Sequence, residues 1–264
     1  PIPWLSECQI GNWNTAIYSQ GQLLSDRKGG HAVFSGHLLY HHKLYFGAEV
    51  ENCLEDIQTL SDQRGQYAYT AWNDKHLEVG ADYFGCQQWF YYQTETLFIA
   101  SNSYYLLLLA LKNRNIVLNL DVDKACITLS SAGINLLSQN FCRSMDMKGV
   151  YQLTVDKHLR LGKNGWTFSD SEVGRILRED AVYHEALYRK QLNEAAEELI
   201  ETLSDILEAP QLQKFVVDLD DDLNSRMVYA ILSNLSVDRA RVKISINSSA
   251  GDKSRKLANQ INGL

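Results

Sequence analysis

Proline is scarce, 3 residues in a chain of 264, and glycine is unremarkable at 16, so collagen-like repeats and Pro/Gly-rich linkers are excluded. Cysteine is limited to five residues, Cys8, Cys53, Cys86, Cys126 and Cys142. They are odd in number, widely spaced and nowhere in a CxxC, which suggests neither a disulfide framework nor a zinc knuckle and makes a reducing, cytoplasmic setting the expectation. Long apolar runs are missing too. Leu106 to Leu111 is the greasiest stretch and Lys112 ends it, well short of the roughly 18 residues a membrane span needs, so no membrane association is expected. The opening Pro1-Ile2-Pro3-Trp4 carries no signal-peptide pattern. Positive charge is not in excess: 25 Lys+Arg face 32 Asp+Glu, a formal charge of -7, which argues against nucleic acid as a partner. What is present is 45% apolar and 22% charged residues, the balance of a globular protein. The length suits one large domain or two of about 130 residues.

Period-two patterning is read from Ala32 onward. Ala32 to Leu44 reads as a strand, a break at Gly36 and a second short apolar segment. Gln66 to Trp72, Leu77 to Ala81, Gln88 to Tyr92 and Thr96 to Ser101 are β-branched or aromatic and separated by turn residues, which predicts a run of antiparallel strands. Leu106–Leu111 and Asp123–Leu129 read as short helices, the second capped by Asp121 or Asp123. Gly149 to Gly162 returns to strand and turns near Asp156-Lys157.

After Gly174 the pattern changes. From Glu179 to Glu208, apolar residues such as Leu192, Leu199, Leu203 and Ile206 follow helical spacing over glutamate-rich positions, and Pro210 ends the helix. A strand at Phe215-Val216-Val217, a polar loop, a helix from Met227 to Leu235, a strand from Val242 to Ile246 and a helix beginning near Asp252 follow. That order is the opening of a parallel α/β domain, and with two such strands the domain reads as incomplete. The composition change sets the expected boundary: residues 1–174 form one domain and 175–264 the other.

Several segments in fixed order resemble the asparagine-synthetase family. Ser35-Gly36-His37-Leu38-Leu39-Tyr40-His41 resembles its Asn-Gly-Glu-Ile-Tyr-Asn-His segment. Gly65 to Asn73 is similar to Gly-x-Phe-Ala-Phe-Ala-Leu-Trp-Asp, and Asp82-Tyr83-Phe84-Gly85 with Trp89 to Tyr92 and Ile99-Ala100-Ser101 resembles Arg-Asp-x-x-Gly…Leu-Tyr-Tyr…Phe-Ala-Ser-Glu. Lys148 to Leu153 resembles the strand before the interdomain helix. The resemblance runs from about residue 31 to the end. It implies an α+β, αββα (Ntn-like) sandwich of the class II glutamine-amidotransferase type, followed by the start of a parallel α/β domain of the ATP-pyrophosphatase type. It also implies amide-bond formation through an acyl-adenylate, with ATP and Mg²⁺ as cofactors and a small molecule or peptide as substrate.

The positions that carry the family's chemistry differ here. The glutaminase nucleophile is an N-terminal cysteine whose own amine is the base, and this sequence opens on Pro1. Cys8 is the nearest thiol, without a free amine beside it. Ser35, Gly36, His37 and Asp82 mark the altered glutamine pocket, with Ser35 standing for Asn and His37 for Glu. The family's Ser-Gly-Gly-x-Asp-Ser loop, whose glycines admit the ATP pyrophosphate, corresponds to Asp220, Asp221, Asp222, Asn224, Ser225 and Arg226. Both glycines are aspartate. The expectation is a protein without glutaminase activity: an ATP-dependent amide ligase if active, or a non-catalytic scaffold that binds another protein chain. A homodimer is compatible with either.

His31, His37, His41 and His42 suggest a metal cluster by composition, but adjacent His41 and His42 would face opposite sides of a strand. The aspartates 218 and 220–222 could take Mg²⁺, or cap the following helix. Ser101 and Ser103 have no candidate base nearby.

Overall fold

The computed structural model describes residues 4–26, 29–41, 43–54, 56–61, 63–130, 144–178, 185–219, 223–235 and 241–246. The chain divides into two compact units, Pro1–Tyr40 with Tyr45–Asp180, and His41–Leu44 with Ala181–Leu264.

The first unit is built on antiparallel sheets. β1 (Trp4–Ile10) and β2 (Trp13–Ser19) form a hairpin. A seven-stranded sheet runs in the order β12 (Gly165–Asp170), β11 (Lys157–Gly162), β7 (Leu77–Ala81), β6 (Arg64–Trp72), β4 (His31–Tyr40), β3 (Gln22–Ser25), with β5 (Lys43–Phe46) also on β4. A third sheet has β8 (Trp89–Gln93) between β10 (Val150–Leu153) and β9 (Phe98–Ser101).

Strand alternation decides which residues meet. Even positions of β4 (Ala32, Phe34, Leu38) and odd positions of β6 (Tyr67, Tyr69, Ala71) enter one core cluster with Val50 of α1 (Glu49–Cys53) and with Ile57 and Leu60 of a 3-10 turn. The opposite face supplies Val33, Trp72, Leu77, Val79, Leu159 and Leu161 to a second cluster, which also contains Ile10 and Ile17 of the hairpin and Tyr91 and Leu153 of the three-stranded sheet. A third cluster joins Phe90 and Val150 to Leu107 and Leu111 of α2 (Tyr104–Asn113). β6 is buried on both faces for this reason, and its sequence is apolar and aromatic without strict alternation.

Helix starts follow capping chemistry. Ser103 accepts from the Leu106 N–H at the start of α2, Asp121 from the Lys124 N–H at the start of α3 (Val122–Ser130), and Ser171 from the Gly174 N–H at the start of α4 (Glu172–Ile176). The hydroxyl of Ser103 is therefore engaged as a cap, and that of Ser101 accepts the Ser103 N–H at 3.1 Å.

Two expectations need correction. Gly36 does not break its strand: β4 runs through it to Tyr40, and the glycine is required because its neighbour strand lies so close. A Cβ at Gly36 would sit 2.1 Å from the Gln66 carbonyl oxygen, at a φ of +130°. Extended structure also starts earlier than Ala32, with β1, β2 and β3 ahead of it.

In the second unit, α5 (Glu185–Glu208) is the long amphipathic helix. β13 (Phe215–Leu219), α6 (Leu223–Asn234) and β14 (Val242–Ile246) form a strand-helix-strand unit, with β13 parallel to β14 and Phe215 opposite Val242. The expected helix near Asp252 lies outside the described residues, as do residues 179–184 of the expected long helix.

Candidate functional site

Ser35, Gly36 and His37 lie side by side on β4, opposite Ala68, Tyr67 and Gln66 of β6. Ser35 is exposed and His37 half-buried. Burial pushes the His37 imidazole below its ordinary value, an effect that the carboxylate of Asp82 partly offsets. The ring of His37 lies 5.7 Å from that of Phe46.

Asp82 directly follows β7 and is almost fully buried. Its Oδ1 accepts the N–H groups of Phe84 (3.1 Å) and Cys86 (3.2 Å), and its Oδ2 those of Tyr67 and Gln87, both at 3.4 Å. One carboxylate thus closes the turn through Gly85, which has a φ of +64°. It also ties that turn to β6 opposite Gly36. The structure brings Gly36, Tyr67 and Asp82 into one row, but the acid is occupied by backbone, which is the chemistry of an anchor rather than of a substrate-reading group.

Cys8, Cys53 and Cys86 are not prepared nucleophiles. Cys8 stands on β1 opposite Thr15, and burial raises its pKa. Cys53 donates to the Val50 carbonyl at 3.2 Å and is pushed up to about 11 by burial. Cys86 is raised by burial and by the negative charge of Asp82. An activated thiol needs the opposite shift. His31 meets Ser25 Oγ through Nδ1 at 3.1 Å, and His42 lies outside the described residues. Among the described residues no group of three or more His, Cys, Asp or Glu is placed to hold a metal ion.

Of the nucleotide-loop positions, Asp220, Asp221 and Asp222 lie outside the described residues. Asn224, Ser225 and Arg226 fall in the first turn of α6, where Asn224 is exposed. The three aspartates are the whole sequence between the end of β13 and the start of α6.

Two features were not read from the sequence. Tyr69 Oη donates to Glu78 Oε1 at 2.8 Å and lies 3.5 Å from His158 Nδ1, a buried polar cluster on the sheet face of the first core. Gly80 makes it fit, since a Cβ there would lie 2.6 Å from Tyr69 Oη and 2.8 Å from His158 Nδ1. Glu78 between Leu77 and Val79, followed by Gly80, was the available signal: a carboxylate in a buried strand needs a partner. The second feature is a cleft of about 350 Å³ lined by residues 81–85 and 87–89 from the end of β7 to the start of β8, by residues 152–155, 157 and 158 from the end of β10 to the start of β11, and by Ser171.

No protein-family model matches the chain, and no curated protein matches it significantly.

Proposed function

We propose that the chain is an asparagine-synthetase-like protein that has given up both of the family's reactive sites and works as a binding or assembly module on the family's scaffold. The N-terminal unit supports an αββα, Ntn-like reading. Its second core cluster draws on the seven-stranded sheet from one side and on the hairpin and three-stranded sheet from the other. The other two clusters add α1 and the 3-10 turn to the larger sheet and α2 to the smaller. The resembling segments fall on β4, on β6 and on the stretch from Asp82 through β9.

The observation that carries the loss of glutaminase chemistry is the state of its pocket positions. Ser35 and His37 offer neither the amide nor the carboxylate of the family, and Asp82 spends its oxygens on four backbone N–H groups. Incubation with glutamine and a coupled glutamate assay is expected to show no release of glutamate, with wild type and Cys8→Ser alike. Release that Cys8→Ser abolishes would refute this part of the reading.

A second reading, a Mg²⁺- and ATP-dependent amide-forming ligase, is favoured by one feature. In sequence Asp220 to Asp222 directly follow β13 and precede α6 in a parallel strand-helix-strand unit, and open α/β sheets bind ligands beyond the carboxyl ends of their strands. Carboxylates there repel a bare triphosphate, but a bridging Mg²⁺ becomes the largest local charge and reverses the sign.

A further inference from the structure

The cleft in the N-terminal unit lies where the chain passes twice from one sheet to the other, from β7 to β8 and from β10 to β11. Its two formal charges besides the imidazole of His158 are already engaged. Asp82 is held by four amides, and Lys157 pairs with Asp170, which Arg178 also contacts. A charged ligand would find no unspent counter-charge and would lose its hydration on entry.

The uncharged polar groups are in the opposite condition. Among the described residues, the carboxamides of Gln87, Gln88 and Gln152 make no hydrogen bond within the protein. Each of these groups both donates and accepts, so each can meet a hydroxyl in either role. Trp89 supplies an apolar surface, and its orientation is fixed by Nε1 donating to the Gly80 carbonyl at 2.7 Å. The far wall is fixed as well, with Ser171 Oγ donating to the Val155 carbonyl at 2.7 Å. A pre-set wall lowers the ordering cost of binding, and the volume is at the small end for ligand sites.

We propose that this cleft binds a small uncharged ligand rich in hydroxyl groups, such as a single sugar ring, through Gln87, Gln88 and Gln152 against Trp89. All lining residues of the cleft belong to the N-terminal unit, and the proposal holds whichever way ATP binding is decided.

The test is an NMR titration of the ¹⁵N-labelled full chain with methyl glucoside. Glucuronate and glucosamine serve as charged versions of the same ring, and a blocked dipeptide amide serves as an uncharged non-sugar. Saturable shifts of the side-chain NH₂ pairs of Gln87, Gln88 and Gln152 with methyl glucoside are expected, with weaker or no response to the charged rings. Gln87→Leu combined with Gln152→Leu should weaken binding at least about tenfold, the loss of roughly two hydrogen bonds. Thr154→Val is the control: the hydroxyl it removes is buried without a partner and has no surface toward the cleft, so neither Tm nor binding should fall. No shift with methyl glucoside at millimolar concentration, tighter binding of a charged ring, response to the dipeptide alone, or full binding by the double variant would each overturn the proposal.

Discussion

Gly36→Ala is expected to destabilise the N-terminal unit by about 3–5 kcal/mol, enough to lower its Tm by roughly 10 °C for a unit of this size. Two costs add. The new methyl would stand 2.1 Å from the Gln66 carbonyl oxygen and 2.8 Å from Tyr67 Cα, both backbone atoms of a paired strand that cannot swing aside. The φ of +130° is one that a residue with a Cβ adopts only under strain. Gly162→Ala is the matched control, since a Cβ there meets nothing within 4 Å. Thermal unfolding of the two variants beside wild type checks this, and a Gly36→Ala protein as stable as the control would show that β4 and β6 do not approach as described.

Asp82→Ala should cost about 3 kcal/mol, measured as a fall in the urea midpoint at constant m. The substitution strands the N–H groups of Tyr67, Phe84, Cys86 and Gln87 in a place where Asp82 itself is only 3% exposed. The bonds are long for charge-assisted ones, 3.1 to 3.4 Å, which keeps the expected loss below the sum of four strong bonds. Asp82→Asn should fall between wild type and alanine, because its oxygen can serve one pair of donors while its NH₂ faces the other. If Asp82 were a substrate-reading group and not an anchor, alanine would leave stability within about 0.5 kcal/mol of wild type.

Much of the fold could be read from residue order, and the failures have physical causes. β6 to β9 were legible because Tyr67, Tyr69, Trp72, Val79 and Phe90 are large, β-favouring and bounded by turn residues. β1 and β2 were not. Among the described side chains of these strands only Ile10 and Ile17 are buried, and the polar Ser6 and Thr15 at half-buried positions with Tyr18 at an exposed one weaken the alternation. Gly36 was misread because a glycine that ends a strand and one that lets two strands touch look the same in sequence. The strand-helix-strand order of the second unit was visible in the apolar runs at Phe215–Leu219 and Val242–Ile246.

The site was less legible than the fold. Ser35, Gly36 and His37 share one strand by sequence, yet the four-amide burden of Asp82 depends on the turn through Gly85 and on the pairing of β6 with β7. The cleft draws its polar groups from segments about 65 residues apart, and no local spacing announces such a meeting.

Calorimetric titration with ATP, with and without Mg²⁺, tests the central claim most directly, on the natural chain and on the Asp220→Ser, Asp221→Gly, Asp222→Gly variant. One carboxylate about 4 Å from a phosphate charge costs roughly 4 kcal/mol at an effective dielectric of about 20, and each 1.4 kcal/mol is about tenfold in affinity. The binding-module reading predicts no ATP binding by the natural chain in either condition and a gain of binding in the variant. Micromolar Mg-ATP binding by the natural chain that disappears in the variant would contradict it and make the three aspartates a metal-assisted nucleotide site.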